Sequence, residues 1–337
     1  MTMIVSHAPG RVNLIGDHTD HTGGYCFPMA IGRGVTVQAN VGGERVRLRS
    51  DREAGPADVD LGVVDVSAVE PPWARYVAGV VAQLRPTAGI DGVITSTLPV
   101  GVGLSSSAAL EVAVALALGA DRTDPVELAR RCQAAEHAAR GVPTGILDQL
   151  ASITGQAGCG LLLDCTALEV TAIPLPDDIE WVVILPSAGR SLAASAYAER
   201  VAELAMAEAA IGPLRAATTA DVARLTDPIV RRRARHVVTE NERVHAFAAA
   251  IGAGDVAAAG ALMRDSHRSL RADFESSTPA LDELCAALDE TPGVLGARIT
   301  GGGWGGAVVA LTRPGALGTF PRSLVVTAGP GASVTRN

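Results

Sequence analysis

Leu98-Pro99-Val100-Gly101-Val102-Gly103-Leu104-Ser105-Ser106-Ser107 runs directly into an apolar stretch, Ala108 to Ala120, and this junction constrains the fold more than any other segment. Val93 to Leu98 reads as a strand, the glycines and serines as a turn, and the stretch from Ala108 as a helix. Glycines let the backbone turn with its N–H groups exposed, serines add hydroxyl donors, and a helix N-terminus contributes roughly half a positive charge. The segment therefore reads either as an anion cradle or as a turn closed by a serine N-cap. Gly101-x-Gly103 also begins a dinucleotide fingerprint, but Ser106 stands where the third glycine belongs.

Such a cradle would have to work without lysine, because all 28 basic residues are arginine. That absence excludes a standard P-loop NTPase, a protein kinase and a PLP enzyme, each of which needs a lysine on phosphate or in a Schiff base. A net charge of −8 argues against general nucleic-acid or anionic-membrane partners. The Ala108–Ala120 stretch contains Glu111 and falls short of the roughly 18 residues of a membrane span. Met1 to Val12 does not read as a signal peptide. Cys26, Cys132, Cys159, Cys165 and Cys285 show neither CxxC nor zinc spacing and read as reduced, mostly packed thiols, so a cytoplasmic location is expected.

The 337 residues predict about two domains, and a hydrophobic content of 48% suffices for a sizeable core. Val35, Val37, Ala39 and Val41, then Val46 and Leu48, alternate across Gly42-Gly43 and predict a hairpin. Trp73, Tyr76, Val77 and Val80 recur at helical spacing, and a helix is expected from about Pro125 to Arg140. Gly160 to Leu163 and Trp181 to Leu185 read as a strand pair. Beyond them the helices Leu192 to Ile211, Ile229 to Ile251 and Val256 to Leu270 are expected. A boundary is placed near residue 175, between a strand-rich domain 1–175 and a helix-rich domain 176–337. The run Arg231, Arg232, Arg233 and Arg235 reads as a solvated helical face.

Two further clusters carry chemistry. Ala8 to Gly24 holds Asp17, His18, Asp20 and His21, four ionisable side chains in five positions bounded by glycines. A metal site, a solvated polar turn and polyol recognition are all compatible with it. Carboxylate and imidazole suit hydroxyls because each donates or accepts in a fixed direction. Thr300 to Ala307 holds five glycines around Trp304, more than a hairpin needs, which implies close approach of another backbone or a ligand.

In this order and at these separations, the three clusters closely resemble the three motifs of the GHMP small-molecule kinases. Gly10 to Asp20 is similar to the signature of the galactokinase branch. Further similarity lies in Trp73 to Val80, Gly145-Ile146-Leu147-Asp148-Gln149 and Ser266 to Leu270, so nearly the whole chain is covered. The resemblance implies an α/β (α+β) fold of two lobes with the active site in the cleft between them. It implies an ATP- and Mg²⁺-dependent transfer of phosphate to the 1-hydroxyl of α-D-galactose. Asp148 falls on the family's catalytic aspartate and Arg11 on its partner, which would depress the pKa of Asp148. Asp17, His18, Asp20, Gly145 and Tyr197 fall on galactose-binding positions, and Ser107 and Glu136 on Mg²⁺ positions. Gly101, Val102, Gly103, Leu104, Ser105, Ser106 and Ser107 would cradle the phosphates, while Trp73 and Tyr76 fall at the adenine pocket or belong to the core.

Two departures stand out. Most of the branch has glutamate where this chain has Asp17, and tyrosine-asparagine where it has His21-Thr22. One methylene fewer shortens the reach of the carboxylate by about 1.5 Å. The chain also begins just before the first motif, without the lead segment common in the family. Competing expectations are a sibling kinase for N-acetylgalactosamine or L-arabinose, a sensor that binds galactose and ATP without turnover, and a nicotinamide oxidoreductase. A monomer or weak oligomer without nucleic-acid or membrane partners is expected.

Overall fold

The computed structural model describes residues 2–99, 103–141, 144–185 and 193–336. In chain order the strands are β1 (Met3–Ile15), β2 (Tyr25–Val41), β3 (Arg45–Ser50), β4 (Ala57–Asp60), β5 (Ile90–Ser96), β6 (Cys159–Asp164), β7 (Glu169–Pro174), β8 (Glu180–Ile184), β9 (Val294–Ile299), β10 (Val308–Thr312), β11 (Ser323–Val326) and β12 (Ser333–Arg336). The helices are α1 (Ala74–Leu84), α2 (Ser106–Ala117), α3 (Pro125–Arg140), α4 (Leu147–Thr154), α5 (Ala193–Ile211), α6 (Thr219–Ala223), α7 (Pro228–Gly252), α8 (Val256–Ser269) and α9 (Pro279–Asp289).

Two sheets organise these elements, as expected of an α/β chain with two lobes. The larger runs β12-β1-β2-β5-β3-β4, with β6 joined to the start of β2 and β7 to β6; the smaller runs β11-β8-β10-β9. The first sheet's strands reach Pro174 and the second sheet starts at Glu180, but β12 returns from the end of the chain to pair with β1.

Helix limits follow local signals closely. α3 begins at Asp124-Pro125, where the Asp124 carboxylate accepts from the N–H groups of Val126 and Glu127, and it ends at Gly141 with φ of 69°. Strand partners follow less well. The expected hairpin across Gly42-Gly43 does not form, because β5 lies between β2 and β3 and pairs with β3 in parallel. The turn glycines bond to Gly89 ahead of β5, through Gly42 N–H to Gly89 O and Gly89 N–H to Gly43 O, both 2.9 Å. Alternation sets which face of a strand is apolar, not which strand lies beside it. For the same reason β6 pairs with β7 and not with β8.

α2 is apolar on nearly every side and is accordingly buried, packed on β1, β2, α1, α3 and α4. The arginine run is corrected in one position. Arg233 is only 2% exposed, bonded through Nε to Glu203 at 2.8 Å and through Nη2 to Glu275 at 2.6 Å. The 3.6-residue period turns it inward with Ala234 and Val237.

A buried ionic clasp ties the first motif to the second sheet. Glu240 of α7 accepts from Gly16 N–H at 3.0 Å and Ser266 Oγ at 2.5 Å, and pairs with Arg243 at 2.7 Å. Arg298 of β9 pairs with Asp17 at 2.5 Å and lies 3.9 Å from Glu240. His236 Nε2 meets Asp17 O at 3.1 Å, and its Nδ1 meets Ser269 Oγ at 2.9 Å. Burial depresses His236 to about 4 from 6.5, against the pull of Glu240. His267, 3.3 Å from Asp282, is likewise pushed to about 4 by burial. The unfolded chain therefore takes up these protons first, so the stability these two histidines contribute is complete above pH 6.5 and is lost as pH falls towards 4. Between pH 7 and pH 4.5 wild type is expected to lose more stability to urea than a His236→Asn variant, by an amount on the order of 3 kcal/mol. An identical pH dependence in the two proteins would contradict this assignment.

Candidate active site

β1 carries Arg11 into the site between two irregularities in its pairing with β2, at Pro9/Arg11 and Asn13/Ile15. Such bulges re-aim side chains. The Arg11 guanidinium spans two elements. Its Nε and Nη2 reach Asp148 Oδ1 at 2.7 and 2.5 Å, and its Nη1 donates to Gly103 O at 2.7 Å. Asp148 sits in the first turn of α4, and its other oxygen accepts from Ser105 Oγ.

That last bond changes how the glycine–serine turn is read. Ser105 occupies the N-cap position of α2 in the left-handed region, φ 57° and ψ 48°, and its side chain makes no cap bond. A serine is placed there to cap. Here its hydroxyl is drawn to Asp148, and the first turn of α2 keeps N–H groups that no side chain caps. The anion-cradle reading therefore fits Gly103, Leu104, Ser105, Ser106 and Ser107 better than the cap. Gly101 and Val102 lie outside the described residues.

Asp148 does not follow the expected pKa direction. Burial raises it and outweighs the lowering by Arg11, while nearby Glu136 and Asp20 push the same way as burial. The Arg11 effect has the expected sign but is the smaller one.

The first cluster is no solvated turn: Asp17, His18, Thr19 and Thr22 are buried. His18 adopts φ of 65° and stacks on Phe274, ring centres 4.2 Å apart. Tyr197 and Trp304 each lie 5.9 Å from it, and His21 lies 5.8 Å from Tyr197. Burial holds His18 well below 6.5, so it is neutral at pH 7, and its buried Nε2 has no partner among the described residues. Asp20 packs on the backbone of Gly145, where a Cβ would fall inside the carboxylate. Burial alone would raise Asp20, but His21, 3.5 Å away, brings it below 3.8. Among the described residues no group of three or more His, Cys, Asp or Glu is placed to hold a metal ion.

Both carboxylate oxygens of Asp17 are bonded within the protein. Its Oδ2 accepts from Arg298 at 2.5 Å and its Oδ1 from Gly301 N–H at 2.9 Å, leaving the residue 5% exposed. The fully buried Arg298 needs a counter-charge, and Asp17 supplies it at closer range than Glu240. In the glycine-rich third cluster the expected close backbone approach is found at Gly303, whereas a Cβ on Gly302 or Gly305 would meet nothing within 4 Å. A Cβ on Gly303 would lie 2.5 Å from Ser276 O, which accepts from Trp304 N–H at 2.8 Å.

Ser107 and Glu136 meet at the other end of the cradle, with Ser107 Oγ 2.9 Å from Glu136 Oε1. Arg140, Thr144 and Gln149 also bond the Glu136 carboxylate, at 3.3, 3.3 and 2.9 Å. Trp73 is buried in the core, its indole N–H donating to Ala54 O at 3.3 Å, so its core reading is the one the structure favours. Tyr76 is half-buried.

Arg298, Phe274, Ser105 as a partner of Asp148, and Glu111, fully buried in α2, escaped the sequence reading. A charged residue inside an apolar run, Glu111 among Ala108 to Ala120, was the one available signal.

Comparison with known proteins covers the same segments. A model described as the galactokinase galactose-binding signature matches residues 2–41, one for the GHMP kinases N terminal domain matches 75–156, and one for the GHMP kinases C terminal matches 247–322. The chain is 41% identical to a galactokinase of Roseiflexus sp. (strain RS-1), covering 95% of this chain and 86% of that one. It is 42% identical to a galactokinase of Homo sapiens over 90% and 82% of the two chains. The crystal structure of Lactococcus lactis galactokinase complexed with galactose superimposes with a TM-score of 0.92 at 32% identity, covering 98% of this chain and 95% of that one.

Proposed function

This chain belongs to the galactokinase family of GHMP kinases, and from that premise we infer that it transfers the γ-phosphoryl group of ATP to the 1-hydroxyl of α-D-galactose, giving galactose 1-phosphate and ADP. This is an entry step into galactose utilisation. The observation that carries the chemistry is the Asp148 carboxylate held between Arg11 and Ser105, where the cradle meets the sugar loop.

Asp148 accepts the proton of the 1-hydroxyl as the O1–P bond forms and the bond between the γ-phosphorus and the β–γ bridging oxygen breaks. Its raised pKa makes it a better proton acceptor than an ordinary carboxylate. Arg11, fixed to Gly103 O, places its charge beside the transferring group and keeps Asp148 anionic before transfer. The N–H groups of Gly103 to Ser107, at a helix start that no side chain caps, hold phosphate without lysine. Tyr76 lies at the adenine end.

His18, Asp20, Gly145 and Tyr197 meet the sugar hydroxyls. Neutral His18 offers one donor and one acceptor, and the unpartnered Nε2 fits a hydroxyl. Asp17 acts from behind this wall, neutralising Arg298 and fixing Gly301. Ser107 and Glu136, whose side-chain oxygens meet at 2.9 Å, are hard oxygen donors that would hold Mg²⁺. When bound, the ion would neutralise charge on the ATP phosphates. We also place the lobe boundary near residue 175 and the protein in the cytoplasm.

ADP release measured with D-galactose, glucose, N-acetylgalactosamine and L-arabinose tests the substrate. Selectivity for galactose is expected, and preference for another sugar would reassign the reaction to a sibling kinase. Gly145→Ala is expected to displace Asp20 and raise the galactose KM by about 10-fold or more, the value of one hydrogen bond to a charged group, with the KM for ATP unchanged. An unaltered galactose KM would remove Asp20 from the sugar site.

A further inference from the structure

Glu111 lies in the middle of α2 with no exposed surface, surrounded by alanine, valine and leucine. Among the described residues its hydrogen-bond partner is Gln149 Nε2, at 3.3 Å, and its Oε1 is buried without a partner. A carboxyl in such a place costs stability, and an apolar residue would suit the helix better. What it touches explains its presence. Gln149 Nε2 is shared with Glu136 Oε2 at 2.9 Å, so one amide bridges the two acidic side chains. Glu111 stands one helical turn after Ser107 on the same face of α2, while Glu136 comes from α3 and Gln149 from α4, next to Asp148. Three helices thus converge on the Ser107–Glu136 pair.

We propose that Glu111 and Gln149 are positioning residues: Glu111 holds the Gln149 amide, and the amide fixes the Glu136 carboxylate for the divalent cation that accompanies ATP. Without that anchor the Glu136 carboxylate is left to Arg140, which bonds Oε1, and Thr144, which shares Oε2 with Gln149. This inference rests on the reading of Glu136 as a cation ligand. Outer partners of metal ligands typically change metal affinity by 10–100-fold when removed.

The test is Mn²⁺ binding to the full-length enzyme with saturating ADP, followed by electron paramagnetic resonance, beside galactose affinity and melting temperature by calorimetry. Glu111→Leu is expected to weaken Mn²⁺ by about 10-fold, leave galactose affinity unchanged and leave the melting temperature equal or higher. Glu111→Gln keeps an acceptor for the Gln149 amide and should stay close to wild type. Gln149→Met removes the bridge from its other end and should reproduce the loss. Wild-type Mn²⁺ affinity in Glu111→Leu or Gln149→Met, with the loss seen in Glu136→Gln, would overturn the inference. So would a Glu111→Leu chain that melts well below wild type, which would make Glu111 a structural residue. An unchanged Mn²⁺ affinity in Glu136→Gln would instead remove the premise that Glu136 is a ligand.

Discussion

Asp148→Asn is expected to lower kcat by roughly 10²–10⁴-fold, the usual contribution of a positioned proton acceptor, with small changes in both KM values. Asparagine can still face Arg11 and Ser105, so the pocket keeps its shape while the acceptor is lost. Arg11→Met should lose a comparable factor, and the double variant little more than either single one, because the pair acts as a unit. The wild-type enzyme should lose kcat/KM as pH falls through the pKa of Asp148, which burial holds above 3.8, and the asparagine variant should lack that limb. A variant within 10-fold of wild type would reduce Asp148 to an orienting group, since proton transfer contributes at least about 100-fold when it operates.

The second large effect concerns stability. Arg298→Met leaves Asp17 buried with Gly301 N–H still donating to it and removes the closest positive charge to it. Breaking a buried ion pair in this way typically costs about 3–5 kcal/mol, so the variant should unfold at markedly lower urea concentration at pH 7. Burial already raises Asp17 above 3.8, and without Arg298 it should rise further. A raised carboxyl stabilises the folded state below its unfolded pKa and loses that contribution as pH rises. The gap between variant and wild type should therefore narrow on acidification from pH 7 towards 5. Adding Asp17→Asn should recover part of the loss by removing the uncompensated charge. A gap independent of pH, with no recovery in the double variant, would show that Arg298 contributes through packing alone.

Much of this was legible in the chain. The Asp124-Pro125 start and Gly141 stop of α3 are local signals, complete within one helical turn, and the helix obeys them. Arg11, the serine run and Asp148 could be assigned because their spacing resembles that of a known family. Strand pairing was less accessible. The Gly42-Gly43 turn looks like a hairpin until β5, arriving from residues 90–96, takes the place beside β2. The run of arginines gives no sign of the distant Glu203 and Glu275 that pair with Arg233 and bury it.

The sequence by itself determined the helices, the three motif loops and the family, since these depend on local backbone preferences, apolar period and the identity of neighbouring residues. Only the tertiary structure decided that Ser105 serves Asp148 in place of its own helix, that Asp17 faces Arg298, and that Glu111 reaches Glu136 through Gln149. Each of those assignments is a contact between elements distant in the chain. Its energy depends on burial and on which charge lies opposite, and neither exists until the helices and sheets have packed.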